Sequence, residues 1–334
     1  MEMTNHVVVV LGAGGHTGRF VVDALRREGV TAIPATRTGR FAALDGTEED
    51  GRSLDFTSPY ALDLTLRGAS AVINCAGPFF DTALPAAEAA LRAGIPYLDV
   101  AAEQTTTLRL FDTLDERAKS AGVTIVPAMA FYGGLADLLV SALVPAGSAV
   151  DSIEIAVGLD SWQPTAGTRI TGEKNIYPRV IVRGGALVPI PDPAPGGQWT
   201  FPAPLGEQPV TCVALSEIIL ISRHINSNAI TSFMNLKPLD DLHDSSTPPP
   251  QPRDARGRSA QTFAIEARAT VNGETRHATA TGIDIYAASA PLIVQSCLAL
   301  LGGKHRPGVR APGELFDARS FLASLAPDIA VDYR

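Results

Sequence analysis

Apolar residues follow two rhythms along this chain of 334 residues. Up to about residue 150, short unbroken runs alternate with amphipathic stretches. The runs are Val7–Leu11, Ala71–Pro78, Pro96–Val100 and Val123–Pro127, and the stretches between them have helical spacing over Gly15–Arg27, Tyr60–Arg67, Leu84–Ala93 and Leu108–Ala121. An unbroken β-branched run suits a parallel strand covered on both faces. Regular strand–helix alternation predicts a doubly wound parallel sheet with its ligand at the carboxyl ends of the strands.

From about Asp151 the rhythm changes. Ser152–Val157 alternates like a half-buried strand, and Thr165–Tyr177 is polar with helical character. Short β-rich runs follow at 180–182, 186–190, 210–214 and 229–234, punctuated by proline and glycine. Asn272-Gly273, between Phe263–Val271 and Glu274–Tyr286, is the strongest hairpin signal in the chain. The polar, proline-rich segment 237–258 reads as a solvated loop, and Ala287–Leu301 as an apolar helix returning to the first domain. The reading is an α/β protein: a Rossmann domain over 1–150 completed by 287–334, and an α+β domain on a mixed or antiparallel sheet over 151–286.

The first strand runs straight into Gly12-Ala-Gly-Gly-His-Thr-Gly18. Gly12, Gly15 and Gly18 are spaced G-x-x-G-x-x-G, with Thr17 at the third glycine of the commoner pattern, and Gly14 and His16 complete the turn. The helix that follows points its free N–H groups and positive dipole end at a pyrophosphate, and Gly18 lets it pack on the strand. At the end of the second strand, where an NAD site carries an acid for the ribose hydroxyls, this chain has Thr36-Arg37-Thr38-Gly39-Arg40. Arg37 is placed to hold a 2′-phosphate with Thr36 and Arg40 as helpers, which favours NADP(H). Asp55 is expected near the adenine side, and the small-residue turn Cys75-Ala76-Gly77-Pro78 leaves room for the nicotinamide half.

Composition narrows the partners. A net charge of −8 with no basic, aromatic-interleaved patch argues against nucleic acid. With 46% hydrophobic and 19% charged residues the chain reads as a soluble globule with a sizeable core. The opening Met1–His6 lacks a cationic flank and Val7–Leu11 is too short to span a membrane, so the expectation is a cytoplasmic protein without membrane attachment. Cys75, Cys212 and Cys297 are scattered, and neither they nor the histidines have metal-ligand spacing.

Hydride transfer leaves most of the chemistry to the cofactor and asks the protein for position and a proton. Tyr132, beside two glycines at a strand end, is a candidate proton donor or substrate contact, and Asp99 and Glu103 at the preceding strand end are candidate acids. In the second domain Arg169, Lys174, Tyr177 and Arg179 are placed to clamp a substrate carboxylate. His224, after an apolar run that reads as a strand, with Glu217 upstream, is the natural proton shuttle near neutral pH.

The glycine turn, Asn74-Cys-Ala-Gly-Pro-Phe79, Ala93-Gly-Ile-Pro-Tyr-Leu-Asp99 and Ala121-Gly-Val-Thr-Ile-Val-Pro-Ala128 together resemble the saccharopine dehydrogenase-like reductases. Gly167-Thr168, the helix 287–301 and Gly308-Val-Arg-Ala-Pro312 resemble the same family more faintly. Where family members carry a Phe-Asp pair after the sixth strand, this chain has Phe131-Tyr132, with Asp137 further on. The resemblance implies a Rossmann domain for NADP(H), a substrate domain on a mixed sheet, and a homodimer. It also implies an NADPH-dependent oxidoreductase acting on a C=N or activated C=C bond of a small metabolite. Two alternatives are an enoyl reductase for a lipid or polyketide chain and a non-catalytic NADP(H)-binding redox sensor.

Overall fold

The computed structural model describes residues 6–334; the expectation drawn from Met1–Asn5 lies outside the described residues. Two compact units divide the chain. One holds the described residues up to Ala130 together with Ser289–Arg310, the other Phe131–Ala288 with Ala311–Arg334.

The first unit follows the alternating pattern. Its elements are β1 (Val7–Leu11), α1 (His16–Arg27), β2 (Thr31–Thr36), β3 (Arg40–Ala42), β4 (Glu48–Asp50), β5 (Arg52–Ser53), α2 (Pro59–Thr65) and β6 (Ala71–Asn74). After these come α3 (Phe79–Ala93), β7 (Tyr97–Asp99), α4 (Gln104–Ala121) and β8 (Thr124–Val126). Four consecutive residues of β1, Val8 to Leu11, are fully buried, as a strand covered on both faces demands. Gly94 and Gly122 end α3 and α4 in the left-handed conformation, where a side chain would be strained.

The second unit opens with a kinked turn, Phe131–Leu135, leading into α5 (Ala136–Leu143). Next come β9 (Ser152–Leu159), α6 (Ala166–Lys174), β10 (Val180–Arg183), β11 (Ala186–Pro189), β12 (Gly196–Thr200), β13 (Glu207–Cys212), α7 (Ser216–Ser222), β14 (Ala229–Asn235), α8 (Leu236–His243), β15 (Thr262–Val271) and β16 (Glu274–Ile283). Asn272 and Gly273 both take positive φ, 54° and 78°, and join β15 to β16 with Val271 opposite Glu274. Such a two-residue loop matches the twist of its strands.

Helix α9 (Ile285–Leu301) carries the chain back to the first unit, where β17 (Gly308–Val309) pairs with β8. The chain then rejoins the second unit through α10 (Pro312–Leu315), α11 (Ala318–Ala323) and β18 (Ile329–Tyr333), which pairs with β16. Among the described residues the first sheet is parallel with order β17-β8-β7-β6-β1-β2-β5, the doubly wound arrangement. The second has the order β11-β10-β14-β9-β15-β16-β18 with β12 and β13 attached to β14. It is mixed, since β9 lies parallel to β14 and antiparallel to β15.

The units depart from the sequence expectation in boundary and detail. The first unit's leading segment stops at Ala130 rather than 150, and 311–334 adds a strand to the second sheet instead of completing the first. Helix α3 starts at Phe79, five residues before Leu84, and holds Pro85 inside it. The apolar run before His224, read as a strand, is α7, and the segment read as a loop from 237 contains most of α8. A buried apolar run of that length has no periodicity to separate helix from strand.

Candidate functional site

The glycine turn lies where the sheet order reverses, with β1 flanked by β2 and β6. Gly12 leaves β1 with φ of 71°, and a Cβ there would stand 2.7 Å from the Ala76 backbone. The turns after β1 and β6 are therefore in direct contact, and only a residue without a side chain fits between them. A Cβ on Gly18 would stand 2.4 Å from the Gly12 carbonyl oxygen, so α1 sits tight on the turn. Gly14 and Gly15 are exposed, His16 and Thr17 half-buried, and the His16 ring packs edge-on against Phe20 at 5.2 Å. No side chain caps α1, and its first turn carries no acid. An uncapped helix start behind exposed glycines is a cradle for an anion.

At the end of β2, Thr36 Oγ1 donates to the Arg40 carbonyl at 2.8 Å and Thr38 Oγ1 accepts from the Arg40 N–H at 3.3 Å, which closes the turn. The Arg40 guanidinium bonds Asp50 at 2.5 Å and reaches Glu48 at 3.5 Å, holding β3 on β4. Arg37 is exposed and makes no hydrogen bond or ion pair among the described residues. Of the two arginines, Arg37 has the guanidinium that is available to a ligand. Asp55 accepts from the Thr57 N–H at 2.9 Å and hydroxyl at 2.7 Å, and these bonds hold its carboxyl below the usual range. It is exposed and committed to its own turn.

The turn after β6 is set by buried Asn74. Its amide group donates to the Thr82 and Tyr97 hydroxyls at 3.3 and 3.2 Å, and its carbonyl oxygen accepts from the Ala76 N–H at 3.0 Å. Thr82 Oγ1 donates in turn to the Ala76 carbonyl, so Cys75, Ala76, Gly77 and Pro78 are held against the glycine turn. Burial pushes the Cys75 thiol up, with the Asp99 charge adding to it. That thiol is no nucleophile.

Asp99 and Glu103 serve the scaffold. One Asp99 oxygen accepts the N–H groups of Ala101 at 3.0 Å and Ala128 at 2.8 Å, tying the end of β7 to the segment beyond β8. Burial pushes its carboxyl up to about 6, against the pull of those two amides. Glu103 accepts from the Ala102 N–H at 2.9 Å, and burial raises it too. Each keeps a second oxygen that is buried without a hydrogen bond among the described residues.

In the second unit Tyr132 sits in the kinked turn beside Gly133, which takes φ of 105°. Its ring lies against Phe131 at 4.9 Å and Trp162 at 5.7 Å. Its hydroxyl is buried, makes no hydrogen bond among the described residues, and is held well above the ordinary tyrosine range by burial, then by Tyr286 and Glu217. Glu217, 3% exposed on α7, accepts from the Leu215 N–H at 2.9 Å. The Tyr286 hydroxyl accepts from Trp162 Nε1 at 3.0 Å and the Thr165 N–H at 3.2 Å, and pairs with Thr168 Oγ1 at 2.9 Å. Glu217, Trp162 and Tyr286 are members of this group that sequence reasoning gave no substrate role. The one available signal was an acid, Glu217, set in the apolar run Leu215–Ile221.

The other candidates have structural work. The Arg169 guanidinium donates at 3.0 Å to three carbonyls, of Leu242, Asp244 and Thr247, which leaves it no fork for a carboxylate. Lys174 and Tyr177 are exposed at and after the end of α6. His224 Nε2 lies 2.7 Å from Asp137 Oδ1, and Asp137 Oδ2 accepts the Gly313 N–H at 2.7 Å, so the pair clamps α5 to the start of α10.

Residues 8–126 match the family model described as the saccharopine dehydrogenase NADP binding domain. That stretch of the first unit is therefore similar to a saccharopine dehydrogenase-type NADP-binding domain. Its curated relatives include the "Saccharopine dehydrogenase-like oxidoreductase" of Bos taurus, 28% identical over 152 residues, and that of Homo sapiens, 27% identical over the same length. Each match covers 39% of this chain and 35% of the relative, so the chain aligns with about a third of their length. A Caenorhabditis elegans "Lipid droplet localized protein" is 25% identical over 222 residues, 56% of this chain and 52% of that protein. Among solved structures, apo saccharopine dehydrogenase (L-Glu forming) from Saccharomyces cerevisiae matches with a TM-score of 0.65 at 13% identity. That match covers 98% of this chain and 100% of the yeast chain, and it is a likeness of fold. The likeness of fold thus extends beyond the first unit to the second, mixed-sheet unit. No helix among the described residues is long and apolar enough to cross a membrane.

Proposed function

We propose that the protein is an NADPH-dependent oxidoreductase that transfers a hydride to a C=N or activated C=C bond of a small metabolite, and acts as a cytoplasmic homodimer. NADPH, when bound, supplies the hydride. The observation that carries the reading is the cradle itself: exposed Gly14 and Gly15 before an uncapped helix, with the Arg37 guanidinium uncommitted at the end of β2. The first turn of α1 would hold the pyrophosphate and Arg37 the 2′-phosphate. The Asn74-anchored turn would keep the nicotinamide side clear of bulky groups.

Titration with NADPH and NADH, followed by nicotinamide fluorescence, tests the cofactor step. Arg37→Ala is expected to weaken NADPH about 10- to 100-fold, the worth of one charge-assisted contact, and leave NADH nearly unchanged. Equal weak binding of both nucleotides by the native protein would remove the basis for the proposal.

A second reading, reduction of a long apolar chain, is supported by the likeness to the C. elegans lipid droplet localized protein. Turnover of long-chain enoyl thioesters in preference to short imines would select it.

A further inference from the structure

In the second unit the segment packed against Tyr132 is anchored unlike its neighbours. Helices α5 and α7 each bury six residues. Helix α6 buries none, and α8, to which it is tied, buries Pro238 alone. The bonds that hold this segment are polar. The Trp162 N–H donates to Asp241 Oδ2 at 2.9 Å, and Trp162 Nε1, the Thr165 N–H and Thr168 Oγ1 all meet the Tyr286 hydroxyl. Arg169 holds the carbonyls of Leu242, Asp244 and Thr247. Both ends are fixed: Asp160 accepts from the Thr262 N–H and hydroxyl, Gln261 donates to the Ser161 carbonyl, and the Arg179 carbonyl accepts from the Ile190 N–H. Between those ends Ile170, Ile176 and Tyr177 are 46%, 82% and 40% exposed. The Trp162 ring lies 5.7 Å from the ring of Tyr132, whose hydroxyl is buried without a hydrogen bond among the described residues.

A helix held by hydrogen bonds alone, with its apolar side chains facing water, is the part of a unit that opens at least cost. A buried hydroxyl without a partner gains from such an opening, since native interiors satisfy nearly all buried donors. We propose that residues 162–177 form a lid that swings off Tyr132 while the sheet beneath stays intact. The Tyr286 hydroxyl and the Arg169 fork are its two latches, and the structure is its closed form. Opening carries the Trp162 ring away, wets the Tyr132 phenol and offers that O–H to an incoming acceptor. Each latch bond restrains the open population about 5- to 10-fold, the net worth of one hydrogen bond. Calling the incoming molecule a substrate rests on the reductase reading above; the movement itself does not.

Two tryptophans report the movement. Trp162 and Trp199 are 7% and 6% exposed, and of the two indole N–H groups that of Trp162 is hydrogen-bonded while that of Trp199 has no partner among the described residues. In a rigid molecule the bonded N–H of Trp162 exchanges with solvent no faster than that of Trp199; with a lid the order inverts. Indole exchange in the full chain, isotope-labelled at tryptophan and free of nucleotide, is read by NMR, with Trp199→Phe to assign the two signals. Trp162 is expected to exchange roughly tenfold faster than Trp199. Arg169→Gln alters a guanidinium that bonds neither indole, and is expected to speed Trp162 by a further factor of about 10 while Trp199 keeps its rate. Thr168→Val, a smaller change at the other latch, should act in the same direction, and it decides if Arg169→Gln fails to fold. Trp162 exchanging no faster than Trp199, or a folded Arg169→Gln protein with native rates, overturns the lid. So does a variant that speeds both signals together, because the whole unit is then opening. NADPH is absent from these measurements, so their failure leaves the cofactor reading standing, and failure of the Arg37 experiment leaves the lid standing.

Discussion

A carboxylate held in a dry place is a pH-dependent element of the fold, and Asp99 is the clearest example here. Its carboxyl is pushed up to about 6 by burial, so the folded chain binds that proton more tightly than the unfolded chain does. Stability then falls as pH rises from about 4 to 6, and the shift is worth about 3 kcal/mol. Asn at this position keeps an oxygen for the Ala101 and Ala128 amides and carries no charge. Urea unfolding of Asp99→Asn from pH 4 to 7 is expected to show a shallower decline than the native protein, the remainder belonging to the other buried acids raised by burial, Glu103 and Glu217; matching slopes would show that Asp99 does not contribute. At this scale the sequence was legible where backbone geometry dictated the residue, as at Gly12 and Gly18, whose added Cβ atoms would collide with neighbouring backbone. It was less legible for charged side chains. Arg37 and Arg40 are three residues apart and chemically alike, yet only the fold pairs Arg40 with Asp50.

Among elements, small polar ties decide what stays in place. Helix α6 buries none of its own residues and hangs on Thr165, Thr168 and Arg169. Tyr286→Phe removes the oxygen that Trp162 Nε1 and the Thr165 N–H both use, at an expected cost of about 1–3 kcal/mol. Hydrogen exchange should show faster opening over 165–174, while β15 and β16 stay protected. The His224–Asp137 clamp is the second tie. Burial would push the His224 ring down, but the Asp137 carboxylate outweighs it and the net shift is upward. Its contribution is therefore complete below about 6.5 and fades as pH rises through the raised folded value. His224→Gln is expected to cost about 3 kcal/mol at pH 6 and less at pH 9, read from urea midpoints. A constant penalty across that range would mean the ring is not charged in the folded protein. Neither tie was readable in advance, because each joins residues more than eighty positions apart. The hairpin at Asn272-Gly273 was readable because all of its determinants are adjacent.

For the whole molecule, the strand–helix rhythm told the first unit's architecture, since each β-α step is local and the handedness of the crossover leaves few topologies. The order of the second sheet was not legible: β9 sits between β14 and β15, whose residues come some seventy and a hundred positions later. A chain stopped after Arg310 tests how far the second unit depends on its last segment. It loses β18 from the edge of β16 and the Gly313 contact to Asp137. Such a chain is expected to unfold at lower urea in the second unit and to expose an aggregation-prone edge, while keeping NADPH binding in the first. Loss of nucleotide binding as well would show that the units are not separately stable.

The path of the chain also sets an order in time. The first sheet receives its last strand at Gly308–Val309 and the second at Ile329–Tyr333. A ribosome must therefore deliver the chain through Val309 before the first sheet is whole, and through Tyr333 before the second is. Nascent chains of intermediate length carry two incomplete sheets with open edges, the kind of surface that invites aggregation until the last strands are in place.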